Sequence, residues 1–134
     1  MYIQSFDDLL RAARAQGEPQ QLLFVFAGAE LPDDASAAQR AQFDAGDGGA
    51  LAPLMCVDKL ASELSDFDTL AGEAALAGPP WAIVFAAALS GRAGAPPSAD
   101  DTDRALHKML DAVKAGRLDG MLPFNRAGEP VQLA

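Results

Sequence analysis

Leu22-Leu23-Phe24-Val25-Phe26-Ala27 is an unbroken apolar run, and Trp81-Ala82-Ile83-Val84-Phe85-Ala86-Ala87-Ala88 is a second. Neither alternates polar with apolar residues. A strand with one solvated face carries a period of two, so both runs read as strands buried on both faces. The usual home of such a strand is the centre of a parallel sheet covered by helices. Leu51 to Val57 (LAPLMCV) reads as another strand, with Pro53 marking an edge or an irregularity.

Helical patterns separate these strands. Ser5 and Asp8 make a capping pattern ahead of Phe6, Leu9, Leu10 and Ala13, and Gly17 and Pro19 stop that helix. Ser36 to Ala45 reads as a polar helix anchored by Phe43. Ser65 and Asp68 repeat the capping pattern before Phe67, Leu70, Ala71 and Ala74, and Gly78-Pro79-Pro80 ends the segment. A last helix runs from about Asp101 to Lys114, with Leu106, Met109, Leu110 and Val113 inward. Met121–Phe124 and Pro130–Leu133 flank Asn125-Arg126-Ala127-Gly128 as a terminal hairpin. The expected class is α/β (or α+β): a mixed, mostly parallel sheet of four to five strands with about four helices and right-handed crossovers.

The order helix, strand, helix, strand occurs twice, and residues match in the same order. Phe6, Asp7, Leu9, Ala13, Gly17 and Pro19 correspond to Phe67, Asp68, Leu70, Ala74, Gly78 and Pro80. Val25, Phe26 and Ala27 correspond to Val84, Phe85 and Ala86, and Pro53 to Pro123. Duplication of an α-β-α-β unit explains this collinearity, with pseudo-repeats at about 1–60 and 61–134 inside a single α/β domain over 1–134. The alternative is that two Ala-rich helix–strand units converge by composition.

Size and charge narrow the function classes. With 134 residues, half of them hydrophobic, the chain matches one ordinary domain and can fold on its own core. Its net charge of −9 repels phosphate backbones, so nucleic acid is not an expected partner. The longest apolar stretches fall well short of the ~20 residues that span a bilayer. The start, MYIQSFDDLL, lacks the basic-then-apolar order of a secretory signal. One cysteine, Cys56, leaves no intrachain disulfide, in keeping with a cytoplasmic location.

Three residues are candidates for a ligand site at the strand ends: Cys56, Asp58 and Arg92. Cys56 lies near the end of the LAPLMCV strand and Asp58 just after it, and α/β sites gather at strand ends. A nucleophilic cysteine needs a base or a cation to lower its pKa, and Lys59 is the neighbour in sequence. The bland alternative is a small buried hydrophobe. Arg92 sits in the loop ahead of the last helix, whose N-terminus favours an anion; Asp100, Asp101 and Asp103 already satisfy that end. Asp103, His107 and Asp111 share one helical stripe, but spacing alone makes no metal site, and a solvated charged face is the plainer reading. Gly46 to Gly49 follow a helix and precede a strand, the reverse of a phosphate loop. No cofactor and no metal are expected.

The segments LLFVFAGAELPDD, FDAGDGGALAPLMCVDK, WAIVFAAALSG and MLPFNRAGEPVQL resemble a family of short, uncharacterised proteobacterial proteins often labelled "ribonucleotide reductase subunit alpha". The resemblance covers nearly the whole chain and implies a bacterial protein. It carries over no nucleotide-reducing residue: that chemistry uses a radical cysteine and a redox pair, and Cys56 supplies one thiol. LAPLMCVDKLASEL is also distantly similar to SseB-like domains. Without a convergent acid, base, nucleophile or metal set, the first expectation is a non-enzymatic module that binds a protein partner or a second copy of itself. A metabolite- or nucleotide-binding domain with its site at the strand ends is the second, and an enzyme using Cys56 the third.

Overall fold

A computed structural model describes residues 3–30 and 50–132, together with Ala37. The elements run α1 (Phe6–Arg14), β1 (Gln20–Glu30), β2 (Ala50–Leu60), α2 (Phe67–Ala77), β3 (Ile83–Ser90), α3 (Ala99–Lys114) and β4 (Leu122–Phe124). The four strands form one sheet in the order β2-β1-β3-β4. Every neighbouring pair is antiparallel.

This overturns the expected mostly parallel sheet: the class is α+β. The reason is physical. A strand without alternation reports burial on both faces and carries no information about direction. Here both faces are covered although the strands run antiparallel. Leu22, Phe24 and Phe26 of β1 pack with α1 and α2, while Leu23, Val25 and Ala27 pack with Met109 and Val113 of α3. Three helices are named among the described residues where about four were expected; the one expected over 36–45 lies, Ala37 apart, outside those residues, as do Gly46 to Gly49.

The α1/α2 side of the core is aromatic. The Phe6 ring lies 5.7 Å from Phe24, 5.1 Å from Phe67 and 5.3 Å from Phe124, in tilted or edge-on geometry. Caps fix where the helices begin. The Ser5 hydroxyl accepts from the Asp8 N–H at 3.2 Å. Asp66, not Ser65, caps α2 by accepting the Thr69 N–H at 2.8 Å. Ser98 caps α3, so that helix starts two residues before the expected Asp101.

Pro53 marks both features that prolines mark in strands. It lies on the edge strand β2, and the β1–β2 register slips between Phe26 and Ala27, which face Met55 and Pro53 and leave Leu54 as the extra residue. The expected equivalence of the two prolines is out of step by one. Pro53 faces Ala27, whose match is Ala86, whereas Pro123 faces Phe85. Beyond β4 the chain turns at Asn125–Gly128 and returns through a single antiparallel bridge between Phe124 and Pro130.

Candidate functional site

The three residues singled out in the sequence do not meet. Cys56 stands opposite Val25 in the middle of β2, half-buried beside the α3 side of the core. Burial pushes its thiol up, and Lys114 offsets part of that rise. A nucleophilic cysteine needs the opposite shift. Asp58, two residues on, is exposed, faces Leu23 across the sheet and accepts 2.7 Å from Gln21 Nε2. Arg92 lies past the far end of β3, in a turn closed by paired backbone bonds with Ala95 at 2.9 Å. β1 lies between β2 and β3, Asp58 and Ala87 face Leu23 from its two sides, and Arg92 comes five residues after Ala87, so the three side chains do not converge.

Several other charged groups are engaged locally. Arg11 pairs with Asp8. The Arg14 guanidinium donates to the carbonyls of Ala61 (3.0 Å) and Leu64, tying α1 to the segment after β2. Lys59 pairs with Glu73 at 2.9 Å. His107 Nδ1 donates to the backbone carbonyl of Asp103 at 2.9 Å, so the ring leans along its own helix and not toward the neighbouring carboxylates. Among the described residues no group of three or more His, Cys, Asp and Glu is placed to hold a metal ion.

The feature that stands out is the last turn of α2. Helices α1 and α3 are amphipathic in the ordinary way; α3 shows Asp103, Arg104, His107, Lys108 and Asp111 to solvent. Helix α2 is not. Phe67, Leu70 and Ala74 face the core, yet Ala75, Leu76 and Ala77 point outward, and Pro79 and Pro80 continue the exposed apolar surface. Leu76 is 92% exposed. Single exposed apolar residues are normal on any protein; a run of five with no charge among them is not.

A cleft of about 270 Å³ opens beside this turn. Ala71, Ala75, Pro79, Pro80 and Trp81 line it, and Arg126 from the terminal turn brings the one charge. Its floor is fixed. Trp81 is nearly buried and meets Phe26 edge-on, ring centres 5.0 Å apart. At Gly78 a Cβ would stand 2.8 Å from the Met55 sulfur, so any side chain there has to displace the flexible end of Met55. A second cleft, of about 540 Å³, lies between the end of β3 and the start of α3, lined by Ser90, Arg92, Pro97, Ser98 and Arg104.

Sequence reasoning missed the α2 surface because it read that helix for its inward stripe. The signal was present: Leu76 lies off the Phe67–Leu70–Ala71–Ala74 face, in a segment with apolar residues on all sides. Arg126 was read only as turn chemistry. No family model matches the chain, and no curated protein or solved structure is significantly similar to it.

Proposed function

We propose that this protein is a non-enzymatic interaction module that docks a partner chain, or a second copy of itself, on the apolar surface at the end of α2. The observation that carries this reading is Leu76, almost wholly exposed on a turn with no charged residue. Exposed leucine on such a turn gains about 1.5–3 kcal/mol when a partner covers it. The rival reading, an enzyme using Cys56, is disfavoured by the burial that pushes this thiol up. A rival docking surface, the outer edge of β2, is blunted by Pro53, the bulge at Leu54, and the charges of Asp58 and Lys59, the devices that keep edge strands from pairing.

Photo-crosslinking tests the proposal. A crosslinking residue at position 76 gives a discrete adduct in cells, with a partner or with a second copy, and one at Lys108 on the outer face of α3 does not. Leu76→Glu then weakens the purified complex at least about tenfold, the ratio set by 1.4 kcal/mol. Identical adduct patterns at the two positions overturn the reading.

The cleft beside Arg92 favours a second reading, small-molecule binding. Its volume falls in the range of ligand pockets, about 300–1,000 Å³. Arg92 and Ser90 supply polar contacts for an anionic metabolite or nucleotide, while Arg104 pairs at 2.6 Å with Asp101, which also lines the cleft. A thermal-shift screen of such compounds tests it, since bound ligand raises the melting temperature by mass action; the shift vanishes in Arg92→Ala if the reading holds.

A further inference from the structure

We propose that the cleft between α2 and the terminal turn takes the C-terminal residue of a partner peptide, an aliphatic side chain against Trp81 and Pro80 and the carboxylate on Arg126. This rests on the interaction-module reading and names what the module recognises.

Size argues first. About 270 Å³ lies at the lower end of the ligand-pocket range, about 300–1,000 Å³, and suits one side chain with its backbone terminus. Rigidity argues second. Trp81 is held edge-on between Phe26 at 5.0 Å and Phe67 at 6.4 Å, and two consecutive prolines with fixed φ form the adjoining wall. A preformed wall spares the ordering cost that weakens small interfaces.

Charge argues third. The ion pairs among the described residues are Arg11–Asp8, Lys59–Glu73 and Arg104–Asp101, and none engages Arg126. The carboxylate nearest in sequence, Glu129, is turned onto Asn125, whose Nδ2 donates to it at 3.2 Å. The Asn125 side-chain oxygen in turn accepts the N–H groups of Ala127 (2.9 Å) and Glu129 (3.0 Å). These bonds set the turn that presents Arg126 at the lip of an otherwise uncharged cleft. Guanidinium pairs well with a planar carboxylate. The net charge of −9 does not oppose this at contact range, because salt screens charges beyond about 8 Å.

The test uses the full chain, whose single tryptophan makes its fluorescence report this cleft alone. N-acetyl-leucine, N-acetyl-leucinamide and acetate are titrated in turn, with the Trp81 indole N–H followed by NMR in parallel. N-acetyl-leucine perturbs Trp81 saturably; the amide and acetate bind at least about tenfold more weakly, one charge-assisted hydrogen bond's worth. In Arg126→Gln the acid loses its advantage over the amide while the fold, checked by circular dichroism, is kept. Equal response to acid and amide, or none at Trp81, overturns the inference. The two proposals fail separately. If Trp81 responds but crosslinks at 76 are indiscriminate, the docking reading fails alone; if those crosslinks are specific and Trp81 is silent, the cleft assignment fails alone.

Discussion

Gly128 lies flat against the Phe67 ring: a Cβ added to it would stand 3.0 Å from Cγ and Cδ2 of that ring. Its φ of +77° lies in the left-handed region, and its carbonyl accepts the Phe6 N–H at 2.8 Å. One residue thus joins the terminal turn to the first turns of both α1 and α2. Gly128→Ala meets two costs together, about 1–2 kcal/mol for the left-handed backbone and about 1–3 kcal/mol for crowding a packed ring. Chemical denaturation is expected to show a loss of about 2–5 kcal/mol, with the m-value unchanged. A loss under about 0.5 kcal/mol, the range of ordinary surface changes, contradicts this packing.

Phe6 is the hub of the aromatic cluster and has no exposed surface. Phe6→Ala empties a site shared with Phe24, Phe67 and Phe124, at a cost of about 3–5 kcal/mol. Against a typical total of 5–15 kcal/mol, that takes a large share of the stability. Phe6→Leu keeps most of the volume and costs much less. The order of the two melting temperatures checks the claim; equal losses contradict it.

How far the sequence discloses this fold depends on which property each residue reports. Leu22 to Ala27 disclose burial on both faces, and the structure has it. Strand direction was not legible there, because direction depends on how the chain crosses between strands. The whole β1–β2 connection, 31–49, lies outside the described residues apart from Ala37. Pro53 disclosed an edge and a bulge because a missing N–H has few places to go in a sheet. Cys56, Asp58 and Arg92 looked like a cluster because both strand ends were expected on one side of the sheet, and there they do fall: β2 and β3 each run opposite to β1 and end where it begins. The cluster fails on distance, because β1 lies between the two strands, Asp58 and Ala87 face Leu23 from its two sides, and Arg92 comes five residues after Ala87, beyond Gly91, which donates to the Pro19 carbonyl at 2.8 Å.

Leu76→Glu leaves stability within about 0.5 kcal/mol of the parent, because the side chain contributes almost nothing to the isolated fold. Denaturation of the purified variant checks this. Loss of binding with stability intact marks a docking residue; a large stability loss makes Leu76 a packing residue and removes the main support for the interaction surface.

Cys56 predicts slow chemistry and an alkaline weakness. With its thiol held above the usual range by burial, iodoacetamide reacts with it more slowly at neutral pH than with a free thiol. In the unfolded chain the thiol ionises near ~8.5. The folded form resists ionisation beyond that, so stability is full below this value and falls as pH rises toward the higher folded pKa. Cys56→Ala removes that alkaline loss. Parallel denaturant melts at neutral and alkaline pH check it, and an alkylation rate equal to a free thiol's contradicts the burial assigned to Cys56.

Asp66 acts at the other end of the pH scale. The Thr69 hydroxyl donates to its carboxylate at 2.7 Å and the Thr69 N–H at 2.8 Å, and these bonds hold its pKa below the usual carboxylate value. The stabilisation is therefore complete above the unfolded value of ~3.9 and disappears as pH falls through the lower folded pKa. Thr69→Val deletes the hydroxyl bond, the larger cause, and moves the Asp66 titration upward toward the ordinary value while the backbone bond remains. Asp66→Asn keeps a good cap and loses the acid-side dependence; Asp66→Ala loses the cap at every pH. Carboxyl chemical shifts followed through an acid titration report Asp66 directly and separate it from the other acidic groups. A Thr69→Val titration that matches the parent contradicts the hydroxyl's role and leaves the backbone N–H as the sole cause.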